Sequence, residues 1–347
     1  MVAAEQLGAD VVSRGELAKA WKAGIGPAKI VFSGVGKRED EIRAAVDLGI
    51  RSLNVETIEE LDEIAAAARA AGRAAPVSVR LNPGVEGGGH EYLATGGVGA
   101  KFGLDRDKAA EALRRAAADD ALEPVGISFH VGSQLLEIEP VLVAAERAAD
   151  LWRELSDAGI QLRDFDAGGG LGIPYDGGQA PDLRGYARPL AEIAKELDAT
   201  LVLEPGRHLV GPVGTFVTRV LRVKEAGDRT LVVCDGGMND LLRPVLYGAE
   251  HPVALLVESG RDKRERAQVD LVGPLCESSD FLALARTLPL PRRGDLVAIG
   301  LAGAYGRVMS SSYNARPLCA EVVLEQGAWR ISRERGTYDD LVRNERA

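Results

Sequence analysis

Short apolar runs alternate with helix-like patterns from the start of the chain to about residue 210. The runs at 9–13, 30–33, 52–56, 77–82, 126–131, 164–167 and 201–204 predict strands. Between them, stretches such as 57–71 and 105–118 repeat apolar residues at the spacing of one helix face. Ser13 with Glu16, and Thr57 with Glu60, have the spacing of capping boxes at helix starts. Strict strand–helix alternation predicts parallel strands joined by crossover helices. Seven such units in a row predict a (β/α) barrel in place of a doubly wound sheet.

A barrel of this type takes eight strands, and its phosphate sites often sit in the loops after strands seven and eight. Here the run Gly168-Gly169-Gly170-Leu171-Gly172 follows the sixth visible strand, and Glu204-Pro205-Gly206-Arg207 follows the seventh. One unseen strand before Met1 would put both in those places. The expectation is therefore an α/β chain with a (β/α)8 TIM-type barrel whose first strand is missing.

After about residue 212 the pattern changes. Stretches 215–224, 230–234, 253–257, 268–272 and 296–299 are strand-like, with no barrel-length helix between them. Residues 320–333 read as a hairpin turning at Gln326-Gly327, and 337–344 as a closing helix. The expected domains are an incomplete barrel at 1–212 and an all-β domain at 213–347.

Composition narrows the function. With 46% hydrophobic and 27% charged residues among 347, the chain reads as an ordinary globular protein of two domains. A net charge of -10 disfavours a nucleic-acid partner. No apolar run approaches the length of a membrane span, and residues 1–14 carry no signal-type core, so no membrane is expected and a cytoplasmic location is. Three scattered cysteines and four histidines suggest neither a disulfide framework nor a metal site.

Several motifs carry candidate chemistry. The triple glycine after a strand lets backbone N–H groups approach an anion, or simply makes a tight strand–helix turn. His130, in Phe129-His130-Val131-Gly132-Ser133-Gln134, sits at a strand end where barrels keep their sites, or is a satisfied structural histidine. Glu204 and Arg207 put a carboxylate and a guanidinium three residues apart, as a site or as a plain ion pair. Cys276-Glu277 follows Val272-Gly273-Pro274; a free cysteine is commonly just a small buried hydrophobe. Tyr305 lies among glycines, which suits a phenol against a ligand or a loop. Arg243 and Tyr247 could hold a carboxylate between them, or belong to a solvated loop.

Taken together and in order, these motifs resemble the diaminopimelate decarboxylases, a barrel-plus-β-domain family of fold-type III pyridoxal-phosphate enzymes that includes ornithine and arginine decarboxylases. The resemblance runs almost end to end: DVVSRGEL at 10–17, VFSGVGK at 31–37, NVETIEEL at 54–61, HVGSQ, GGGLGI, EPGR, GMNDLLRPVLY at 237–247, GPLCES and MSSSYNARP at 309–317. It implies pyridoxal 5'-phosphate as cofactor. His130 would stack on its ring and Glu204 would pair with its pyridine nitrogen. Ser133, Gly168, Gly169, Gly170, Pro205, Gly206 and Arg207 would surround its phosphate, with Tyr305 close by.

The resemblance also implies a homodimer in which Cys276, from the partner subunit, protonates the carbon that loses carbon dioxide. Arg207, Arg243, Tyr247, Glu277 and Tyr305 would bind the amino-acid substrate. Cys276-Glu277-Ser278, together with Arg243-Pro244-x-x-Tyr247-Gly248, favours meso-2,6-diaminopimelate over ornithine, with L-lysine as product. The family's Schiff-base lysine lies in a Tyr-Ala-x-Lys motif on the first barrel strand, and no lysine here has that context. The chain is thus expected to be N-terminally truncated. The competing expectations are a non-catalytic or fragmentary relative, and a related decarboxylase or racemase acting on another amino acid.

Overall fold

A computed structural model describes residues 2–85, 97, 99, 101–256 and 263–346. It divides into two compact units, Met1–Gly172 with Ala180–Gly206, and Ile173–Gln179 with Arg207–Ala347.

The first unit is a parallel sheet of seven strands in sequential order: β1 (Ala9–Val11), β2 (Ile30–Phe32), β3 (Ser52–Val55), β4 (Ala75–Arg80), β5 (Leu122–Ser128), β6 (Asp164–Gly169) and β7 (Thr200–Glu204). Helices α1 (Arg14–Lys22), α2 (Glu39–Leu48), α3 (Ile58–Ala71), α4 (Arg106–Ala117), α5 (Glu139–Asp157) and α6 (Leu183–Glu196) connect them. This is the TIM-type arrangement with one strand fewer than a closed barrel. Among the described residues, β1 and β7 each have a ladder partner on one side only. Both are accordingly less buried than β3 or β6, whose residues are all buried.

The two capping boxes form differently from the spacing rule. Ser13 and Thr57 do accept from the N–H groups of Glu16 and Glu60, at 3.2 and 3.3 Å. The Glu16 and Glu60 carboxylates, however, accept from Val12 and Glu56, one residue before each cap, both at 2.8 Å. Glu60 is further drawn off by Lys37, whose ammonium is buried and also donates to the Gly34 and Asn54 carbonyls.

Residue parity along the strands decides what each face carries, because side chains alternate across a sheet. Leu53 and Val55, Val77 and Val79, Ile127 and Phe129, and Phe165 and Ala167 share one hydrophobic core. Many intervening positions are polar: Ser33, Asn54 and Glu56, Ser78 and Arg80, Ser128 and His130, Asp166, and Glu204. One parity thus builds the core and the other builds a polar face.

The second unit holds a six-stranded mixed sheet in the order β10-β13-β8-β9-β11-β12. Its strands are β8 (Phe216–Ala226), β9 (Arg229–Cys234), β10 (Val253–Leu256), β11 (Arg266–Val272), β12 (Phe281–Pro289) and β13 (Leu296–Ile299). Every pairing is antiparallel except β9 with β11. Val232, Leu271, Val297 and Ile299 lie at the centre of its core. The hairpin forms as β14 (Glu321–Glu325) and β15 (Ala328–Arg333), and the closing helix spans Tyr338–Val342. Val257, the last residue of one expected strand, lies outside the described residues. Strand β12 was not anticipated. Register shifts against β11 and a left-handed Ala285 (φ 53°) break the period-two pattern that would have revealed it.

Candidate active site

On the polar face of the first unit, Asp166 of β6 and Glu204 of β7 form a side-chain hydrogen bond. Asp166 is buried, and burial pushes its pKa up to about 6. Glu204 is raised well above the usual range by burial and by the neighbouring Asp166 charge. Two carboxyls this close keep a proton between them. Asp166 also accepts from the Gly168 N–H at 2.9 Å, and His130 Nδ1 accepts from the Gly169 N–H at 3.1 Å. Burial and the Arg80 cation push the His130 pKa down to about 4. The ring is therefore neutral near pH 7, with its proton on Nε2.

The triple glycine is required sterically. Gly168 has φ +65°, and a Cβ there would overlap the Phe129 carbonyl oxygen; a Cβ on Gly169 would overlap the Glu204 carbonyl oxygen. The loops carrying Ser133 and Gly170 are joined, Leu135 N–H donating to the Gly170 carbonyl and Gly172 N–H to the Leu135 carbonyl, each at 2.8 Å. Pro205 and the exposed Gly206 continue from Glu204.

The polar face also holds residues the motif reading passed over. Glu56 accepts from Arg80 at 2.9 Å, from Gly34 N–H at 3.1 Å and from Gly103 N–H at 2.8 Å. Asp10 lies at the matching parity of β1 and is exposed. Strand parity was the signal that could have found Asp10, Glu56, Arg80 and Asp166.

In the second unit, a short helix α7 (Arg243–Tyr247) buries Arg243 to 2% exposure, which removes the solvated-loop alternative. Its guanidinium lies 4.2 Å from the Tyr175 ring centroid and 5.9 Å from that of Tyr247. Arg207, also buried, donates to the Tyr175 hydroxyl at 3.0 Å and lies 4.6 Å from the Tyr305 ring. The structure thus brings Arg207, Arg243, Tyr247 and Tyr305 together around Tyr175, a residue missed in the sequence. Among the described residues no carboxylate pairs with Arg243, and its Nε has no hydrogen-bond partner.

Cys276 is exposed, not the buried hydrophobe that a free cysteine commonly is. Its N–H donates to Asn314 Oδ1 at 3.0 Å, and Glu277 accepts from the Tyr313 hydroxyl at 3.4 Å. Buried Asp280 accepts from the Met238 and Leu275 N–H groups, both at 2.7 Å. Three separated sequence motifs are therefore stitched together here. No hydrogen bond joins Cys276 or Glu277 to Arg243 or Tyr305 among the described residues.

Comparison with known proteins fits this geometry. Residues 1–211 match the family model described as pyridoxal-dependent decarboxylase, pyridoxal binding domain. The chain is 43% identical over 338 residues to a diaminopimelate decarboxylase of Helicobacter pylori (strain J99), covering 97% of this chain and 83% of that one. It is 42% identical over 339 residues to that of Aquifex aeolicus, covering 96% and 79%. A crystal structure of the Helicobacter pylori enzyme complexed with L-lysine superposes with a TM-score of 0.95 at 42% identity, covering 99% of this chain and 85% of that one.

The residues present suit a pyridoxal cofactor. A carboxyl pair of buried Asp166 and half-buried Glu204 can accept from a protonated ring nitrogen. A neutral imidazole offers a flat apolar face, and the glycine turn leaves no Cβ to obstruct an anion. The chain belongs to the pyridoxal-dependent decarboxylases, in the diaminopimelate decarboxylase family.

Proposed function

We propose that the chain acts on meso-2,6-diaminopimelate as a carboxy-lyase, releasing carbon dioxide and L-lysine in the last step of lysine biosynthesis. The observation that carries this reading is Arg243, a buried cation without a carboxylate partner among the described residues. A buried charge left uncompensated by the protein calls for an anion from outside. A substrate carboxylate supplies one, and an amino acid with two carboxylates keeps one after losing the other.

Bound pyridoxal phosphate supplies the electron sink for the bond that breaks. His130 would lie against its ring, and Glu204, backed by Asp166, would hold the proton on its ring nitrogen. Ser133, Gly168, Gly169, Gly170, Pro205 and Gly206 would hold its phosphate, and Arg207 and Tyr305 are further candidates for it. Arg243 and Tyr247, with Arg207 and Tyr305, bind substrate carboxylate and amine groups, and Glu277 meets the distal ammonium. Cys276 would return a proton to the carbon that loses carbon dioxide.

Cys276 does this for the partner protomer of a homodimer. Its exposure supports that role, as does the apolar hairpin surface of Leu324 (73% exposed) and Trp329 (71%). No helix among the described residues is long and apolar enough to cross a membrane. A biosynthetic role supports a cytoplasmic location.

A second reading is a non-catalytic relative, favoured by Lys37 being tied to Glu60 and two carbonyls. Assay of the purified chain with pyridoxal phosphate on meso-diaminopimelate, ornithine and arginine tests both. Lysine formed from the first alone supports the decarboxylase. No turnover, with no cofactor retained covalently after borohydride treatment, supports the second reading.

A further inference from the structure

His251 lies at the end of the turn after α7 and is 1% exposed. Its Nε2 is 2.9 Å from Arg243 Nη1, and its Nδ1 is 2.9 Å from the Gly300 carbonyl oxygen. Both partners are one-sided. A guanidinium only donates and a carbonyl only accepts. The imidazole must therefore be neutral, with its proton on Nδ1 and its Nε2 lone pair turned to Arg243. Tyr175 braces both groups, its ring centroid 4.8 Å from that of His251 and 4.2 Å from the Arg243 guanidinium. The groups that act on His251 are thus Arg243, Arg207, Tyr175 and the Gly300 carbonyl, and no carboxylate is among them.

The choice of a neutral acceptor has a consequence. An aspartate or glutamate in this place would fix Arg243 equally well but would also neutralise it. A neutral imidazole fixes the guanidinium and leaves its positive charge unspent. We infer that His251 is the positioning residue for Arg243, holding it by a neutral hydrogen bond so that its full charge is available to the substrate's distal carboxylate. This rests on the reading of Arg243 as the carboxylate-binding residue. Burial and the two arginine cations, which push the His251 pKa down to about 4, keep the ring neutral across the physiological range.

The test measures L-lysine binding by calorimetry on the full chain with pyridoxal phosphate, beside 1,5-diaminopentane, which lacks the carboxylate. His251→Leu removes the acceptor, His251→Gln keeps a neutral acceptor, and His251→Glu keeps an acceptor but adds charge. Lysine affinity should fall about tenfold or more in Leu and Glu, the scale of one hydrogen bond to a charged group. Gln should recover most of it, and diaminopentane binding should not change in any variant. Thermal melts check folding, and the Gln–Glu comparison stands even where Leu does not fold. Equal lysine affinity in Gln and Glu overturns the inference. Arg243→Met serves as the control: if it leaves lysine binding intact, the carboxylate reading itself fails.

Discussion

Asp166 and Glu204, on the adjacent parallel strands β6 and β7, share a hydrogen bond between their carboxyls, and both are pushed above the ordinary carboxylate range. Two acids from different strands thus act as one proton-holding unit, and Glu204 is its member nearer the strand end.

Glu204→Gln should retain cofactor and lose most turnover. Glutamine can still hydrogen-bond a ring nitrogen but cannot hold a proton there by charge. The lost interaction belongs to the transition state, so the fall should appear in kcat and leave KM nearly unchanged. Steady-state kinetics with a cofactor-retention measurement on the same sample decide it. Unchanged kcat would remove Glu204 from the electron-sink role.

The Asp166 pKa of about 6, against 3.8 for the free side chain, fixes the sign of a stability effect. The folded chain holds this proton more tightly than the unfolded one. Its favourable contribution is complete below the unfolded pKa and is lost as pH rises through about 6. Asparagine cannot ionise, so Asp166→Asn should gain stability relative to wild type between about pH 4 and pH 7. His130 and His251, each with a pKa near 4, pull the opposite way in the same window, so the difference curve is the diagnostic quantity. Urea unfolding at a series of pH values, at fixed salt, gives that curve. Parallel curves would contradict the proton-sharing pair.

Two glycines in the proposed cofactor loops should separate cleanly. A Cβ on Gly169 collides with the Glu204 backbone, whereas a Cβ on Gly206 meets nothing within 4 Å. Gly169→Ala should cost about 1–3 kcal/mol of folding stability, the usual scale of overpacking. Gly206→Ala should fold as well as wild type and, with Gly206 in the proposed phosphate site, weaken cofactor binding. Melting temperatures and pyridoxal phosphate titrations read the two effects apart. Full cofactor affinity in Gly206→Ala would take Gly206 out of the phosphate site.

The proposed dimer with shared sites predicts complementation. Cys276→Ala and Glu204→Gln proteins should each be nearly inactive. After subunit exchange, mixed dimers carry one intact site, and activity should recover to about a quarter of wild type. Cys276 is exposed, so its substitution should not disturb folding. A mixture that stays inactive would place Cys276 with the cofactor of its own protomer.

Much of this was legible in the chain. Alternation of apolar runs and helical faces located every strand of the first unit, because burial against helices on one side imposes that pattern. Glycine and turn motifs marked the loops after β6 and β7; at the first, backbone crowding tolerates no side chain, whereas Gly206 in the second stands in open space. The hairpin at Gln326-Gly327 was equally local, since turn residues alone specify it. Strand β12 was hidden by irregular pairing, which depends on its partner and leaves no period in its own residues.

The sequence by itself marked the candidate site residues: His130, Glu204, Arg207, Arg243 and Tyr305 all stand at strand ends, turns or a helix start that local rules could mark. Only the tertiary structure decided their electrostatic state. Whether Arg243 is a solvated surface group or a buried, uncompensated cation depends on Tyr175 and His251, the first 68 residues before it in the chain and the second in no motif. Whether Glu204 is an ordinary carboxylate or half of a proton-sharing pair depends on Asp166 in the neighbouring strand. Charge, desolvation and hydrogen bonding act through space, so they are set by which segments the fold makes neighbours, and no pattern along one segment encodes them.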